Sequence, residues 1–325
     1  MIKRLKFYIN NGFDPYINLA REKCLFDAIE SDTCTLYLWQ NQNTVVIGKN
    51  QNAFAECRTE LLQAEGGRLA RRLSGGGAVF HDLGNLNFTF LCSTDNFDVS
   101  KQLGVIAHAC RLAGVEVNPS GRNDLLADGR KFSGNAFYNS AGSSYHHGTI
   151  MISADTDKMQ RYLTPPKAKL EAKGVKSVRS RVVNLCELSP DLTAERMTEY
   201  LLKAFDAVYG LAAEPHPSLD EASVNELAEK YGSREYLYGT PMPFTLSVSD
   251  RFDFGQTEIQ LRTVGGNVKE VKVFTDSLDT SLPESIEQAL IGIAFEPQTV
   301  KKALTSALPD NVAQPLVSLF EKQIF

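Results

Sequence analysis

One stretch of the sequence decides the fold: Arg71-Arg72-Leu73-Ser74-Gly75-Gly76-Gly77-Ala78-Val79-Phe80-His81-Asp82-Leu83-Gly84-Asn85. Its three consecutive glycines remove every Cβ from one short loop, so backbone N–H groups can close on an anionic ligand such as phosphate. Either Arg72 or Arg71 would add guanidinium donors that match phosphate oxygens. For the glycines alone, a flexible turn between two strands is an equally good interpretation. The arginine, serine, histidine and aspartate around them favour a binding site.

This glycine loop differs from the two common nucleotide-binding loops. It lacks the G-x-G-x-x-G spacing, and no Gly-Lys-Ser/Thr follows it. The apolar residues 78–80 indicate that the loop leads into a strand rather than a helix. A phosphate bound here would be held differently from one in a Rossmann fold or a P-loop.

A second stretch predicts a β-hairpin, because Asp128-Gly129 is a strong two-residue turn signal between residues 123–127 and 130–137. With a two-residue loop, Leu126 faces Lys131 and Asp124 faces Ser133. One face of the hairpin should then carry the polar set Arg122, Asp124, Lys131, Ser133 and Asn135, and the other face Phe132, Gly134 and Ala136.

The polar face of this hairpin has the composition expected of a nucleotide-phosphate and Mg²⁺ site. Mg²⁺ is usually held by one or two carboxylates together with substrate phosphates. A solvated face with an ordinary Lys–Asp pair is the alternative.

The two stretches together resemble the signatures of lipoate-protein ligases. The second signature is Gly121-Arg122-Asn123-Asp124 followed by Lys131-Phe132-Ser133-Gly134-Asn135-Ala136. The resemblance also covers the surroundings of Gly148, the basic segment 173–181 and the carboxyl-terminal part. It implies an α+β fold of the biotin/lipoate ligase kind, with a mixed β-sheet packed against helices and a small α+β carboxyl-terminal domain.

The length of 325 residues favours one large domain and one smaller domain. Because Pro241 and Pro243 break regular structure, we expect a catalytic domain that binds lipoate and adenylate at residues 1–245, and an accessory domain at 246–325.

Periodicity and capping signals predict individual elements. Short β-branched and aromatic runs at 35–39 and 44–48 predict a further hairpin. Helices are expected after Asp14-Pro15, at 59–65, 99–113 and 193–210. In the carboxyl-terminal part, strands are expected at 256–263 and 268–275, followed by helices near 283–292, 298–308 and 315–325.

The resemblance implies an ATP-dependent reaction in two steps. Lipoate and ATP give lipoyl-AMP and pyrophosphate, and a lysine of an acceptor protein then takes the lipoyl group as an amide. Octanoate is a possible substitute for lipoate. The acceptors implied are the E2 lipoyl domains of 2-oxoacid dehydrogenases and the glycine cleavage H protein.

The resemblance also implies roles for particular residues. Lys131 matches the active-site lysine of the family and is the candidate catalytic residue in both steps. Asp124 is the candidate ligand for Mg²⁺. The residues expected to bind ATP or the adenylate are Arg72, Gly77, Ala78, Val79, Phe80, Asn123, Asp124 and Lys131. Those expected to bind lipoate are Arg72, Ser74, His81, Lys131, His147 and Gly148.

Composition excludes several other classes. A formal net charge of −5 argues against a nucleic-acid-binding protein with a basic surface. No apolar run approaches the length of a membrane span, and the amino terminus lacks the apolar core of a signal peptide. Six scattered cysteines without a C-x-x-C pair favour buried thiols in a reducing, cytoplasmic setting over disulfides or zinc.

Three alternatives remain at this point. An octanoyl or lipoyl transferase of the same fold would use a cysteine thiolate and no ATP, with Cys186 the least implausible nucleophile. A biotin-specific ligase matches the glycine motif less well. A non-catalytic module that senses a lipoyl-nucleotide is disfavoured because Lys131 and Asp124 are retained. The basic segment 167–181 is either a solvated loop or a cover that folds over the nucleotide.

Overall fold

The computed structural model describes residues 1–120, 124–164 and 182–325. Arg122, Asn123 and the basic segment 167–181 lie outside this part of the chain. The strands are β1 Arg4–Ile9, β2 Thr33–Trp39, β3 Thr44–Ile47, β4 Arg68–Arg71, β5 Val79–His81, β6 Asn85–Ser93, β7 Val117–Ser120, β8 Asp124–Ala127, β9 Arg130–Ser140, β10 Ser143–Met151, β11 Ala213–Pro215, β12 Leu246–Phe252, β13 Gly255–Val264 and β14 Asn267–Thr275.

The helices follow the capping signals of the sequence closely. They are α1 Pro15–Asp27, α2 Ala53–Glu56, α3 Thr59–Ala64, α4 Val99–Leu112, α5 Thr156–Tyr162, α6 Ala194–Tyr209, α7 Glu221–Gly232, α8 Arg234–Tyr238, α9 Leu282–Leu290, α10 Pro297–Ala307 and α11 Asp310–Gln323. The Asp14 side chain accepts hydrogen bonds from the first turn of α1, and Gly210 ends α6 in the left-handed conformation.

An eight-stranded mixed sheet forms the centre of the molecule, in the order β11-β1-β2-β6-β10-β9-β8-β7. Strands β11, β1 and β2 run parallel, and the remaining neighbours are antiparallel. Leu36 and Leu38 pack on one face with α4 and α6, whereas Tyr37 and Trp39 pack on the other face with α1 and α7. This alternation follows the two-residue period of a strand. The expected mixed sheet packed against helices is confirmed.

A second, three-stranded sheet has the order β4-β3-β5 and carries the glycine loop between β4 and β5. The expected hairpin of residues 35–39 with 44–48 is therefore wrong, because β2 belongs to the large sheet and β3 to the small one. The connecting residues are held to α1 instead: Asn18 donates to the Gln40 carbonyl at 2.8 Å and to the Asn41 side chain at 2.9 Å.

The carboxyl-terminal part has its own apolar core. Strands β12, β13 and β14 form an antiparallel sheet, helices α9 and α11 pack against it, and α10 packs against those two helices. The expected small α+β arrangement is confirmed. Strand β12 was not anticipated, and α11 begins five residues earlier than expected.

Candidate active site

A cavity of about 430 Å³ opens where the glycine loop, the β8–β9 hairpin and β10 meet the carboxyl-terminal sheet. Its walls are partly apolar and partly charged. The apolar side includes Leu19, Trp39 and Val46, and the charged side includes Asp124 and Lys131. A long hydrocarbon chain and an anionic head group need these two kinds of surface next to each other.

The buried Arg72 side chain shapes the glycine loop from inside. Its Nη2 donates to the carbonyl oxygens of Gly75 at 2.8 Å and Gly77 at 2.7 Å, and its Nη1 donates to that of Val46 at 3.1 Å. Burial lowers the pKa of Arg72 to about 10, so the guanidinium stays charged at neutral pH. Arg72 lines the cavity, but these donors are engaged with the loop itself rather than pointing as a fork at a ligand.

The carboxyl-terminal part packs directly on the same loop. The Gly76 N–H donates to the Ser277 carbonyl at 3.2 Å. A Cβ on Gly75 would lie 2.1 Å from that carbonyl oxygen, so only glycine fits there. One N–H group expected to cradle phosphate is thus bound to protein in this arrangement.

The β8–β9 hairpin brings Lys131 and Asp124 together. The Asp128-Gly129 turn is confirmed, with φ of 50° and 70°, and Lys131 pairs with Leu126 as expected. Lys131 Nζ lies 2.6 Å from Asp124 Oδ1, and both side chains are about one-third exposed at the cavity wall. A cation and a carboxylate therefore share one edge of the cavity.

The expected pairing of Asp124 with Ser133 is wrong, because a bulge between the two pairs Leu126–Lys131 and Leu125–Ser133 shifts the register. Asp124 faces Gly134 instead. The extra residue, Phe132, is fully buried in the core. Ser133 pairs with Leu125, which also belongs to the core. The expected face is therefore divided, since Gly134 and Ala136 line the cavity beside Lys131.

Asn135 lines the cavity with Asp124 and Lys131, and its side chain also bonds to a buried histidine. It accepts from His146 at 2.8 Å. A Cβ on Gly148 would fall 2.7 Å from Asn135 Oδ1 and 2.6 Å from Phe88 Cζ. Gly148 therefore lines the cavity at a point of close backbone approach.

A string of buried hydrogen bonds joins the glycine loop to the apolar wall. His147 lies 2.7 Å from Ser74 Oγ through Nε2 and 2.9 Å from Glu22 Oε1 through Nδ1. Glu22 accepts from Thr89 at 2.7 Å, and Thr89 accepts from Trp39 Nε1 at 3.2 Å. Each of these side chains is at least nine-tenths buried, so this hydrogen-bond network fixes the position of Ser74 in the glycine loop relative to Trp39 in the apolar wall.

The neighbouring His81 is held as a neutral donor. Asn41 receives a hydrogen bond on Oδ1 from Asn18, so its Nδ2 donates to His81 Nδ1 at 3.2 Å. The hydrogen of His81 must then sit on Nε2, which has no hydrogen-bond partner within the described residues and belongs to a residue that lines the cavity. Burial lowers the pKa of His81 to about 3.

The structure brings most of the sequence-predicted residues to this cavity. Those that line it are Arg72, Gly77, Ala78, Val79, His81, Asp124, Lys131, His147 and Gly148. Among the adenylate residues that the structure describes, Phe80 is the exception, since its side chain packs in the core against Tyr162. Ser74 lies behind the wall and reaches the cavity through His147.

The residues that were missed include Glu22, which bonds to the cavity residue His147, and three cavity residues from the carboxyl-terminal part. Glu22 sits in an ordinary helical pattern, so no local signal marks it as part of a polar string. Arg251, Asp276 and Leu278 come from the carboxyl-terminal sheet and line the same cavity. Only the three-dimensional contact reveals them, because more than 100 residues of chain separate Lys131 from Arg251.

No metal-binding cluster of three or more histidine, cysteine, aspartate or glutamate residues occurs in the described ranges 1–120, 124–164 and 182–325. In those same ranges, no helix combines the length and the apolar character needed to cross a bilayer.

The fold and the partly apolar, partly charged cavity suit an acyl-protein ligase, and sequence comparison identifies the family. Residues 14–206 match the lipoyl protein ligase A/B catalytic domain, and residues 241–314 match the bacterial lipoate protein ligase carboxyl terminus. The chain belongs to the lipoate-protein ligase family. It is 37% identical to lipoate-protein ligase A of Psychrobacter cryohalolentis over 96% of this chain and 95% of that protein.

Solved structures resemble the chain over most of its length. The crystal structure of Plasmodium falciparum LipL1 in complex with lipoate has a TM-score of 0.84 at 25% identity, covering 98% of this chain and all of that one. Lipoate-protein ligase A bound with ATP has a TM-score of 0.64 at 25% identity, covering 74% of this chain and 99% of that one. The bipartite ligase of Thermoplasma acidophilum, described with its E2 lipoyl domain, has a TM-score of 0.64 at 26% identity. The match covers 76% of this chain and all of that one.

Proposed function

We propose that this chain activates lipoate with ATP to form lipoyl-AMP and pyrophosphate, and then transfers the lipoyl group to a lysine of an acceptor protein. The observation that carries this proposal is the position of Lys131. Its ammonium group stands in a cavity that also contains the glycine loop and an apolar wall formed by Leu19, Trp39 and Val46.

In the first step, a carboxylate oxygen of lipoate attacks the α-phosphorus of ATP, and the bond to the β-phosphate oxygen breaks. Two anions must approach each other, so the protein has to supply positive charge and alignment. We assign this role to Lys131, which would lie between the carboxylate and the α-phosphate. No base is needed here, because the carboxyl group is already ionised at neutral pH.

In the second step, the amine of the acceptor lysine attacks the lipoyl carbonyl, and AMP leaves. An acceptor lysine with an ordinary pKa of about 10.4 must lose a proton before it attacks. Lys131 would stabilise the charge that develops on the departing phosphate. We propose that Gly77, Ala78 and Val79 contact the adenylate.

We assign the acyl group to the apolar side of the cavity. Leu19, Trp39 and Val46 offer the hydrocarbon surface, and His81 and His147 mark its polar boundary. Arg72 and Ser74 then act by holding the glycine loop in shape. Lipoate and octanoate share the hydrocarbon chain and carboxylate that this arrangement requires.

We propose that Mg²⁺ enters with ATP and that Asp124 is its protein ligand. The donor set fits this ion, because Mg²⁺ is commonly held by one or two carboxylates together with phosphates and water, and Asp124 and Asp276 both line the cavity. Bound Mg²⁺ would neutralise phosphate charge.

The acceptors we propose are E2 lipoyl domains and the glycine cleavage H protein. The Thermoplasma acidophilum ligase described with its E2 lipoyl domain supports the first of these. We further propose that catalysis belongs to residues 1–245 with residues 246–325 as an accessory domain. Six free thiols support a cytoplasmic location.

An ATP-independent transferase is the competing function. It needs a reactive thiolate at the cavity, and Cys186 is not among the cavity-lining residues. Burial also raises the pKa of Cys186, which makes its thiolate less available.

Purified enzyme, lipoate, MgATP and a recombinant E2 lipoyl domain test the proposal. Mass spectrometry should show one lipoyl group on the domain, formed together with AMP, and a domain whose acceptor lysine is replaced by arginine should stay unmodified. Lipoylation from an acyl-protein donor without ATP, and none from lipoate with ATP, would overturn the proposal in favour of the transferase.

A further inference from the structure

The carboxyl-terminal sheet contributes a cation to the cavity. Arg251 lies on β12 and lines the cavity together with Asp276 and Leu278, which lie at and beyond the end of β14. This wall is held against the glycine loop by the Gly76–Ser277 hydrogen bond, and against the segment after β3 by one from the Thr275 N–H to the Asn50 carbonyl at 2.9 Å. Arg251 is therefore placed by contacts that do not depend on its own side chain.

Arg251 differs from the other cations that line the cavity in the described part of the chain. Arg72 donates to the carbonyl groups of its own loop, and Lys131 is paired with Asp124 at 2.6 Å. Arg251 Nη1 forms a looser ion pair with Asp276 Oδ2 at 3.6 Å, longer than a hydrogen bond, and it is buried without a hydrogen-bond acceptor among the described residues. A buried donor in this state is stabilised by any acceptor that enters the cavity.

We propose that Arg251 binds the polyphosphate of ATP, on the part that departs as pyrophosphate. This inference rests on the proposed function, which brings ATP into the cavity. A guanidinium fits phosphate oxygens, and a triphosphate is the most highly charged acceptor that the reaction brings there. Arg251 is then a nucleotide-binding residue for the first step only, because pyrophosphate has left before the acceptor lysine attacks.

The test compares Arg251→Gln and Arg251→Lys with a matched control. Arg262→Gln removes a guanidinium from the same sheet, where Arg262 pairs with Glu270 rather than lining the cavity. Lipoate-dependent exchange of labelled pyrophosphate into ATP is measured at varied ATP and at varied lipoate. Transfer from preformed lipoyl-AMP to an E2 lipoyl domain is measured separately, and thermal unfolding establishes that each variant is folded.

We expect Arg251→Gln to raise the KM for ATP by about 10- to 100-fold, the factor for a lost hydrogen bond to a charged group. Arg251→Lys should keep part of the affinity because it keeps the charge. The KM for lipoate and the rate of transfer from lipoyl-AMP should stay within about twofold of wild type. The inference would be overturned if a folded Arg251→Gln protein kept the wild-type KM for ATP. It would also be overturned if the rates of pyrophosphate exchange and of transfer from lipoyl-AMP fell equally. Absence of exchange in the wild type would instead overturn the proposed function.

Discussion

Lys131 Nζ and Asp124 Oδ1 lie 2.6 Å apart across the β8–β9 hairpin, at the wall of the cavity. The carboxylate holds the lysine at one point on the wall. A flexible four-carbon side chain would otherwise sample many positions, so this pairing reduces the entropy lost when substrates are aligned.

Removing the charge of Asp124 is therefore expected to impair adenylation. Asp124→Asn should lower the rate of lipoyl-AMP formation by on the order of 10–100-fold, as is typical when a group that supports an active-site ligand is lost. Asp128→Asn is a suitable control, because Asp128 lies in the turn of the same hairpin with its side chain 70% exposed. Equal rates for the two variants would contradict the role of Asp124.

A methyl group at Gly134 tests the position of Lys131 without changing any charge. A Cβ at Gly134 would lie 2.8 Å from Lys131 Nζ, which is the far end of a movable side chain. Gly134→Ala should therefore leave the melting temperature close to wild type while displacing Lys131 and lowering adenylation. In Gly104→Ala, the new Cβ has its nearest neighbour at 4.0 Å, and this control should be fully active. A fully active Gly134→Ala enzyme would mean that Lys131 need not occupy this place.

Gly75→Ala is expected to separate the glycine loop from the carboxyl-terminal part. The alanine Cβ would lie 2.1 Å from the Ser277 carbonyl oxygen, which is a backbone atom and cannot turn away as a side chain could. Relief requires a shift of one segment, so we expect a loss of about 1–3 kcal/mol in the free energy of unfolding and a higher KM for ATP. Denaturant unfolding and exchange kinetics measure the two effects. Unchanged stability would show that the two segments do not pack as described.

Stability should fall as the pH drops below 6.5. Burial lowers the pKa of His81 and of His146 from 6.5 to about 3, so between these values the unfolded chain binds protons that the folded chain does not. Near pH 5, each histidine should lower the free energy of unfolding by about 1.4 kcal/mol for each pH unit of acidification. Unfolding of wild type and His146→Gln between pH 5 and 6.5 measures this, and the variant should show a smaller slope. Equal slopes would mean that His146 is not held neutral.

Local signals in the sequence were sufficient for most elements. Asp14 before α1, Thr193 before α6 and the Asp128-Gly129 turn act through bonds within a few residues, so they can be recognised without knowing the fold. The family resemblance, in turn, led to Lys131, and most of the site residues that it implied line the cavity.

The remaining features depend on contacts between distant segments. The bulge at Phe132 follows from burying that side chain in the core, and Gly134 and Ala136 then line the cavity beside Lys131. The separation of β2 from β3 depends on how Asn18 of α1 holds the connection. The contribution of Arg251 depends on the docking of a second core, which no pattern near Arg251 indicates.

Lipoate-dependent exchange of labelled pyrophosphate into ATP tests the central claim most directly. Wild type, Lys131→Ala and Lys23→Ala are compared, since Lys23 is a surface lysine paired with Asp27 in α1. We predict exchange by wild type and Lys23→Ala, and a loss of about 10²–10³-fold in Lys131→Ala, the scale for a removed electrostatic stabiliser. Exchange by Lys131→Ala at the wild-type rate would contradict the role of Lys131 in forming lipoyl-AMP.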